Sequence, residues 1–256
     1  MKTNNRSKMI KFELKNDIGI LTLNRPDKRN ALHPDLISEV KSNLKKNWNK
    51  ENMKVLIFTG AGKAFCAGAD LAYLKKLSEY DIVENEKDSA HLAEMFKMIY
   101  NFPKPTIAAV NGAAIAGGCG LASVCDLIVA DKEHTKFSYS EVKIGFIPAM
   151  VSIYLVRKIG EGMARQLLLT GEVIDGKRSY ELGFANYLYN NALEGALEVA
   201  SRLIKNSDYS MIESKSMINR IFNLSVDEAV DYCVKLNAIS RSSSDFKQGI
   251  ESFLKK

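Results

Sequence analysis

Hydrophobic and polar residues alternate from Ile10 to Leu14 and again from Ile18 to Leu23, with Asn16 and Asp17 between them. Alternation puts the apolar set on one face, and the polar gap reverses the chain, so the pair predicts a β-hairpin. Pro34 fits the first turn of a helix, with Leu36, Ile37, Val40 and Leu44 at helical spacing. The run from Lys54 to Thr59, KVLIFT, predicts a buried strand. A helix is expected around Ser89 to Tyr100, where Leu92, Met95, Phe96 and Ile99 share a face. Strands are expected at 106–110, 127–130 and 136–140, helices near 149–159, 162–170 and 176–182, and a strand near 185–189. From Ala192 to the end the pattern is almost all helical, in three or four segments.

Strands alternating with helices up to about residue 190 imply an α/β core of ββα units with a helical C-terminal region. Residues 1–8 read as a disordered tail, 9–190 as the core and 191–256 as a helical oligomerisation region. Met211, Ile212, Met217, Ile218, Ile221 and Phe222 follow one another closely there. That is more apolar surface than a small helical layer buries alone, which points to subunit contacts.

Two turns carry the candidate chemistry. In the stretch from Pro105 to Asp126, PTIAAVNGAAIAGGCGLASVCD, a strand runs through Ala116-Gly117-Gly118 into a helix with Leu121, Val124 and Cys125. It has no charge between Lys104 and Asp126, yet small and polar residues dominate where a membrane span needs sustained Leu, Ile or Phe. The turn Gly60 to Asp70, GAGKAFCAGAD, likewise follows a strand and precedes a helix. Strand, small-residue turn and helix start aim unpaired backbone N–H groups at one point. Two such turns can supply the two donors of an oxyanion hole; they can equally be packing devices for close backbone approach. The loop Arg25-Pro-Asp-Lys-Arg-Asn30 either holds a phosphate or is a solvated connector. His91 is either a base or a packed side chain, and Glu141, read alone, is a surface carboxylate.

Composition narrows the classes. The 256 residues are 46% hydrophobic and 26% charged, the balance of a soluble globular protein. Cys66, Cys119, Cys125 and Cys233 lack paired metal spacing and sit in apolar contexts, as reduced core residues of a cytoplasmic protein do. MKTNNRSKM leads into no apolar stretch, so no signal peptide is expected. The net charge of +6 suits a polyanionic small ligand or a solvated basic surface. No basic block interleaved with aromatics suggests nucleic acid, and three histidines at unrelated spacing suggest no metal site.

Three motifs in order carry a resemblance. They are Leu23-Asn-Arg-Pro with Asn30-Ala-Leu32; Ala64-Phe-Cys-Ala-Gly-Ala-Asp70-Leu; and Asn111-Gly through Gly117-Gly-Cys-Gly-Leu to Cys125-Asp126, followed by Phe137, Glu141, Gly145 and Ile147-Pro148. From about Ile10 to Lys256 the chain resembles the enoyl-CoA hydratase/isomerase (crotonase) superfamily. The resemblance implies a spiral core of ββα units, a helical trimerisation region, and a trimer or a dimer of trimers. It implies an acyl-CoA thioester as ligand, with coenzyme A entering as part of the substrate and no separate cofactor, metal, membrane or nucleic acid. The N–H groups of Ala69 and Gly117 match the family's oxyanion hole. Arg25, Asn30 and the Ala67 carbonyl fall where the family holds the nucleotide end of coenzyme A, and Asp70, Gly118 and Gly120 along the substrate.

The best-known hydratases use two glutamates; here the first falls at Gly120 and the second at Glu141. The position where many isomerases place a carboxylate, and the related dehalogenase its aspartate, is Ala149. A hydratase working from Glu141 as general acid and base is therefore expected. The combination of Gly120, Glu141 and Ile147-Pro148-Ala149 with Val151-Ser152 resembles the bacterial 3-methylglutaconyl-CoA hydratase branch. Isomerisation or decarboxylation through the same enolate, and binding of acyl-CoA without turnover, are the alternatives. The acyl chain is expected against Leu74, Leu77, Met95 and Phe146.

Overall fold

The structure, a computed structural model, describes residues 8–255. All but Lys8 of the expected tail therefore lies outside the described residues. Strands β1 (Ile10–Lys15) and β2 (Ile18–Leu23) form the expected antiparallel hairpin. Asn16 (φ 50°) and Asp17 (φ 63°) form its two-residue turn. Positive φ at both positions matches the twist of the strands, and Asn and Asp tolerate it best after glycine.

Helix α1 (Pro34–Asn47) then crosses over so that β3 (Val55–Gly60) lies parallel to β2. From β3 onward the chain repeats one move. A strand in the large sheet passes through a tight turn into a three-residue strand of a second sheet, and a helix returns. The first unit is β3, β4 (Ala64–Cys66), α2 (Leu71–Leu77) and α3 (Ile82–Tyr100). The second is β5 (Thr106–Val110), β6 (Ala113–Ile115) and α4 (Gly117–Ser123). The third is β7 (Leu127–Asp131), β8 (Lys136–Ser138) and α5 (Ala149–Thr170). Then come β9 (Ile174–Asp175), α6 (Gly176–Glu181), β10 (Tyr187–Tyr189) and α7 (Ala192–Leu203). The large sheet runs β1-β2-β3-β5-β7-β10 and the small one β4-β6-β8-β9. This is the expected spiral of ββα units.

The central strands β3, β5 and β7 are buried on both faces, which is why they read as unbroken apolar runs, whereas the edge strand β1 alternates. Leu56, Phe58, Ala108, Val110, Ile128 and Ala130 point into the main core with Leu36, Val40, Phe96 and Phe102. Val55, Ile57, Ile107, Ala109 and Val129 point the other way, against Ala192, Ala196, Val199 and Ala200 of α7. Helix α7 thus covers the second face of the sheet. Helices α8 (Asp208–Ile221), α9 (Val226–Ser242) and α10 (Ser244–Leu254) contain no buried residue among those described. Ile218 and Phe222 are exposed as expected, while Met211, Ile212, Met217 and Ile221 are half-buried.

One helix differs from expectation. Helix α3 starts at Ile82 rather than near Ser89, because Asp81 and Glu84 form a reciprocal capping box. The two helices expected at 149–159 and 162–170 are the two halves of α5, which meet at a kink where Gly160 leaves the helical conformation (φ 75°, ψ 165°).

Candidate active site

Strand pairing brings the two small-residue turns together. Strands β4 and β6 lie side by side, so the turns that leave them are neighbours. A Cβ on Gly118 would stand 2.0 Å from the Cys66 carbonyl oxygen, and one on Gly68 2.8 Å from that of Ile115. No side chain fits at either position, so glycine is required for the approach.

In the first turn, Leu32 N–H donates to Gly68 O (2.7 Å) and Asp70 N–H donates to Leu32 O (3.0 Å). The amide between them, Ala69 N–H, donates to no described residue. Asp70 fixes the turn's exit: its Oδ1 accepts from Ala72 N–H (3.0 Å) and Tyr73 N–H (3.4 Å), capping α2. Its Oδ2 pairs with Arg25 at 3.0 Å. Burial alone would raise the Asp70 pKa, but Arg25 and the two amides outweigh it and hold the carboxyl below its ordinary value.

In the second turn, Ala116 takes a left-handed conformation (φ 49°, ψ −118°) that a Cβ disfavours. Its N–H donates to Ser138 O (2.7 Å), which pins it to β8. The strained residue sets the direction of the next amide, Gly117 N–H, the first of α4. Gly117 N–H, like Ala69 N–H, donates to no described residue, and no side chain caps the helix.

Glu141 reaches the same place through register. Ile115 of β6 pairs with Ser138 of β8, and Glu141 follows in a short 3₁₀ turn, Ser140–Ile144. Glu141 is 6% exposed, and its Oε2 has no hydrogen-bond partner among the described residues. Burial raises its pKa, offset only by its own N–H. Beyond it Ile144, Phe146 and Ile147 are exposed, an apolar rim.

Other expected site residues have different surroundings. The Asn30 side chain is fully buried: its Oδ1 accepts from Arg25 N–H (2.9 Å) and its Nδ2 donates to Ala61 O (2.9 Å) and Ala64 O (2.8 Å). Every polar atom of that side chain is taken, so Asn30 supports the loops and cannot touch a ligand with it. The Arg25 guanidinium is likewise occupied by Ala31 O (2.8 Å) and Asp70. The exposed cations of the loop are Lys28 and Arg29. The Ala67 carbonyl accepts no hydrogen bond from a described residue. Met95 is fully buried in the core and lines no open wall, whereas Phe146 is exposed and Leu74 and Leu77 are half-buried. His91 bonds to Ser38 Oγ (3.2 Å) on α1, away from these turns.

Gly120 shows why one carboxylate stands alone. A Cβ there would lie 2.4 Å from Val151 Cγ1 and 3.0 Å from the Phe96 ring. Val151 and Phe96 fill the space where another side chain would start, a substitution for which the sequence pattern offered no signal. Among the described residues no group of His, Cys, Asp and Glu is arranged to hold a metal ion.

Two neighbouring free amides and a buried, unpaired carboxylate can stabilise an oxyanion and move a proton beside it. The family model of enoyl-CoA hydratase/isomerase matches residues 13–256. A provisionally named enoyl-CoA hydratase of Thermus thermophilus is 38% identical over 250 residues, covering 97% of this chain and 98% of its own. A crotonyl-CoA hydratase of Syntrophomonas wolfei is 32% identical, covering 96% and 94%. The crystal structure of an enoyl-CoA hydratase from Shewanella pealeana superposes with a TM-score of 0.91 at 30% identity, covering 97% and 94%. With the spiral of ββα units, the paired turns and a match spanning nearly its whole length, the chain belongs to the enoyl-CoA hydratase/isomerase family.

Proposed function

We propose that the protein is an enoyl-CoA hydratase that works from one carboxylate, Glu141. The observation that carries this reading is the Glu141 carboxyl itself, buried and, among the described residues, unpaired, in the 3₁₀ turn that follows β8, the strand paired with β6 that leads into the Gly117 turn. The thioester carbonyl oxygen lies between the N–H groups of Ala69 and Gly117. Glu141 removes a proton from water, and the water oxygen attacks the β carbon of the conjugated double bond. The electron pair moves through the α carbon to the thioester oxygen, where the two amides stabilise the enolate. The enolate then collapses, and the α carbon takes the proton from Glu141. Each oxyanion donor is worth about 3 kcal/mol of transition-state stabilisation. A carboxylate whose pKa is raised by burial is both a stronger base and a usable acid near neutral pH.

The coenzyme A part of the substrate binds through its phosphates near Lys28 and Arg29, and through the Ala67 carbonyl at the nucleotide end. A methyl-branched or carboxylated acyl chain, 3-methylglutaconyl-CoA among them, suits the resemblance at Gly120 and Ala149. The unburied helices α8 to α10 support a homo-oligomer, a trimer or a dimer of trimers. One observation favours a second reading. Gly120 leaves no second carboxylate, so isomerisation or decarboxylation through the same enolate needs only what is present.

Loss of absorbance of the conjugated enoyl thioester tests the proposal, over crotonyl-CoA, longer chains and 3-methylglutaconyl-CoA. The expected result is water addition that Glu141→Gln reduces by about 10²–10⁴-fold while acyl-CoA binding persists. If the wild type binds the thioesters and hydrates none, the hydratase reading fails.

A further inference from the structure

Leu32 touches both turns of the candidate site. Its backbone lies opposite Ala69 as a single parallel bridge, Leu32 N–H donating to Gly68 O (2.7 Å) and Asp70 N–H donating to Leu32 O (3.0 Å). Its side chain, 4% exposed in the main core, reaches the other turn. A Cβ on Gly117 would stand 2.9 Å from Leu32 Cδ1, and beyond its own helix and chain neighbours nothing else among the described residues comes within 4 Å of that point.

A trans peptide points its C=O and its N–H in opposite directions. Gly68 O and Ala69 N–H belong to one such unit, so the hydrogen bond from Leu32 N–H to Gly68 O aims Ala69 N–H away from the bridge. Leu32 N–H is itself braced, because the carbonyl of its own peptide unit, Ala31 O, accepts from Arg25 Nη1 (2.8 Å). Arg25 also pairs with Asp70 Oδ2 at 3.0 Å, so one guanidinium holds the bridge on both strands. The second turn has fewer anchors. Gly117 offers no side chain to pack, and no side chain caps α4. Backbone bonds hold this turn at two points: Ala116 O accepts from Gly120 N–H (3.1 Å), and Ala116 N–H donates to Ser138 O (2.7 Å). The Ala116 conformation (φ 49°, ψ −118°) is one that persists only where its surroundings over-determine it. The Leu32 methyl group against Gly117 supplies a further constraint, from the side on which the first turn lies.

We infer that Leu32 is a positioning residue that couples the two donors, its backbone aiming Ala69 N–H and its side chain seating Gly117, so that both amides point at one oxygen. The inference rests on the reading of these amides as the holders of the thioester oxygen. It gives Leu32 the task of setting one turn against the other, which neither turn does alone.

The carbonyl stretch of a bound saturated thioester, butyryl-CoA labelled with ¹³C at the thioester carbon, reads that geometry without turnover. Donors aimed at the oxygen polarise the C=O bond and lower its frequency. In the wild type the infrared difference band should move down on binding. Leu32→Ala should lose much of that shift and broaden the band, while Leu32→Met, which keeps the volume, should retain it. On an enoyl thioester Leu32→Ala should lower kcat by up to about 10²-fold with KM nearly unchanged. A purely structural role would lower the melting temperature of Leu32→Ala and leave the band of the folded protein in place. Gly117→Ala tests the contact from the other side. Its methyl group presses on Leu32 Cδ1 and should cut the shift, and Leu32→Ala added to it should restore part of the shift by making room. A wild-type shift that Leu32→Ala leaves unchanged overturns the inference. Should Leu32→Ala fail to fold, the smaller truncation Leu32→Val carries the same reading. If the wild type binds butyryl-CoA and the carbonyl band does not move, the reading of the two amides fails and the inference with it. A protein whose band responds as expected and that hydrates no enoyl thioester would overturn the proposed reaction and not the role of Leu32.

Discussion

Glu141 has its pKa raised because burial strips it of water and only its own N–H compensates. That makes it a liability to folding as well as an asset to chemistry. In the unfolded chain the carboxyl ionises at about pH 4.3, while in the folded protein it holds its proton to higher pH. Below the unfolded value both states are protonated, and the group has no effect on stability. As pH rises from there through the folded value, the unfolded state loses its proton first, so stability falls and then levels off. Glu141→Gln removes that loss. It should melt a few degrees above wild type at pH 7 and level with it at about pH 4, by thermal unfolding at both pH values. Equal melting at pH 7 would mean that the carboxyl is not held in a hostile site. Lys28 and Arg29 present a separate case. They are exposed beside the first turn while Arg25 is paired with Asp70, so they are the charges open to phosphate. Lys28→Ala with Arg29→Ala should raise KM several-fold at low salt with kcat nearly unchanged, since binding far from the reacting carbons is uniform. Added salt should narrow the difference.

At the scale of elements, the two turns work because β4, β6 and β8 hold them in register. Gly118→Ala would push a methyl group into the Cys66 carbonyl, 2.0 Å away, and backbone cannot yield as a side chain tip can. The expected outcome is a loss of about 10²–10³-fold in kcat together with a lower melting temperature, because Gly117 N–H is displaced with its neighbour. Initial rates and a melting curve on the same sample would check both. The hairpin, the central strands of the large sheet and the helices were legible in the sequence, because alternation, two-sided burial and amphipathic spacing leave patterns over five or more residues. Of the small sheet only β8, expected at 136–140, was. Ala64–Cys66, Ala113–Ile115 and Ile174–Asp175 are two or three residues long, too short for alternation to show, and were absorbed into turns. The candidate site was legible where motif and backbone geometry coincide, at the free amides of Ala69 and Gly117 and the buried Glu141. It was not legible where tertiary contacts decide the role. Nothing local says that Asn30 is wholly enclosed, that Val151 and Phe96 close the space beside Gly120, or that Leu32 touches both turns. Those facts come from residues distant in the sequence being packed together.

The whole molecule, taken as a single chain, leaves one layer unfinished. Helices α8 to α10 bury no residue, yet they present Phe222, Val226, Val230, Val234, Phe246, Ile250 and Phe253. On α9 the three valines recur every four residues, which gathers them along one side of the helix. Contact with the core is held by polar ties, notably Lys215 Nζ to Asp126 Oδ2 at 2.7 Å and to Lys104 O at 3.2 Å. A layer tethered in this way and apolar outside is stable in water when another copy covers it, and a lasting interface of this kind removes at least about 800 Å² per partner. Val230→Asp discriminates between a covered and a bare surface. Val230 is 55% exposed in the isolated chain, so on a free surface the change would be close to neutral, within about 0.5 kcal/mol. In an interface it buries a charge with no partner and should break the assembly. The wild type should sediment as three or six chains, and Val230→Asp as a smaller species whose melting temperature falls with dilution. If both proteins sediment as single chains with equal melting temperatures, the helical layer has another purpose and the oligomer reading is wrong.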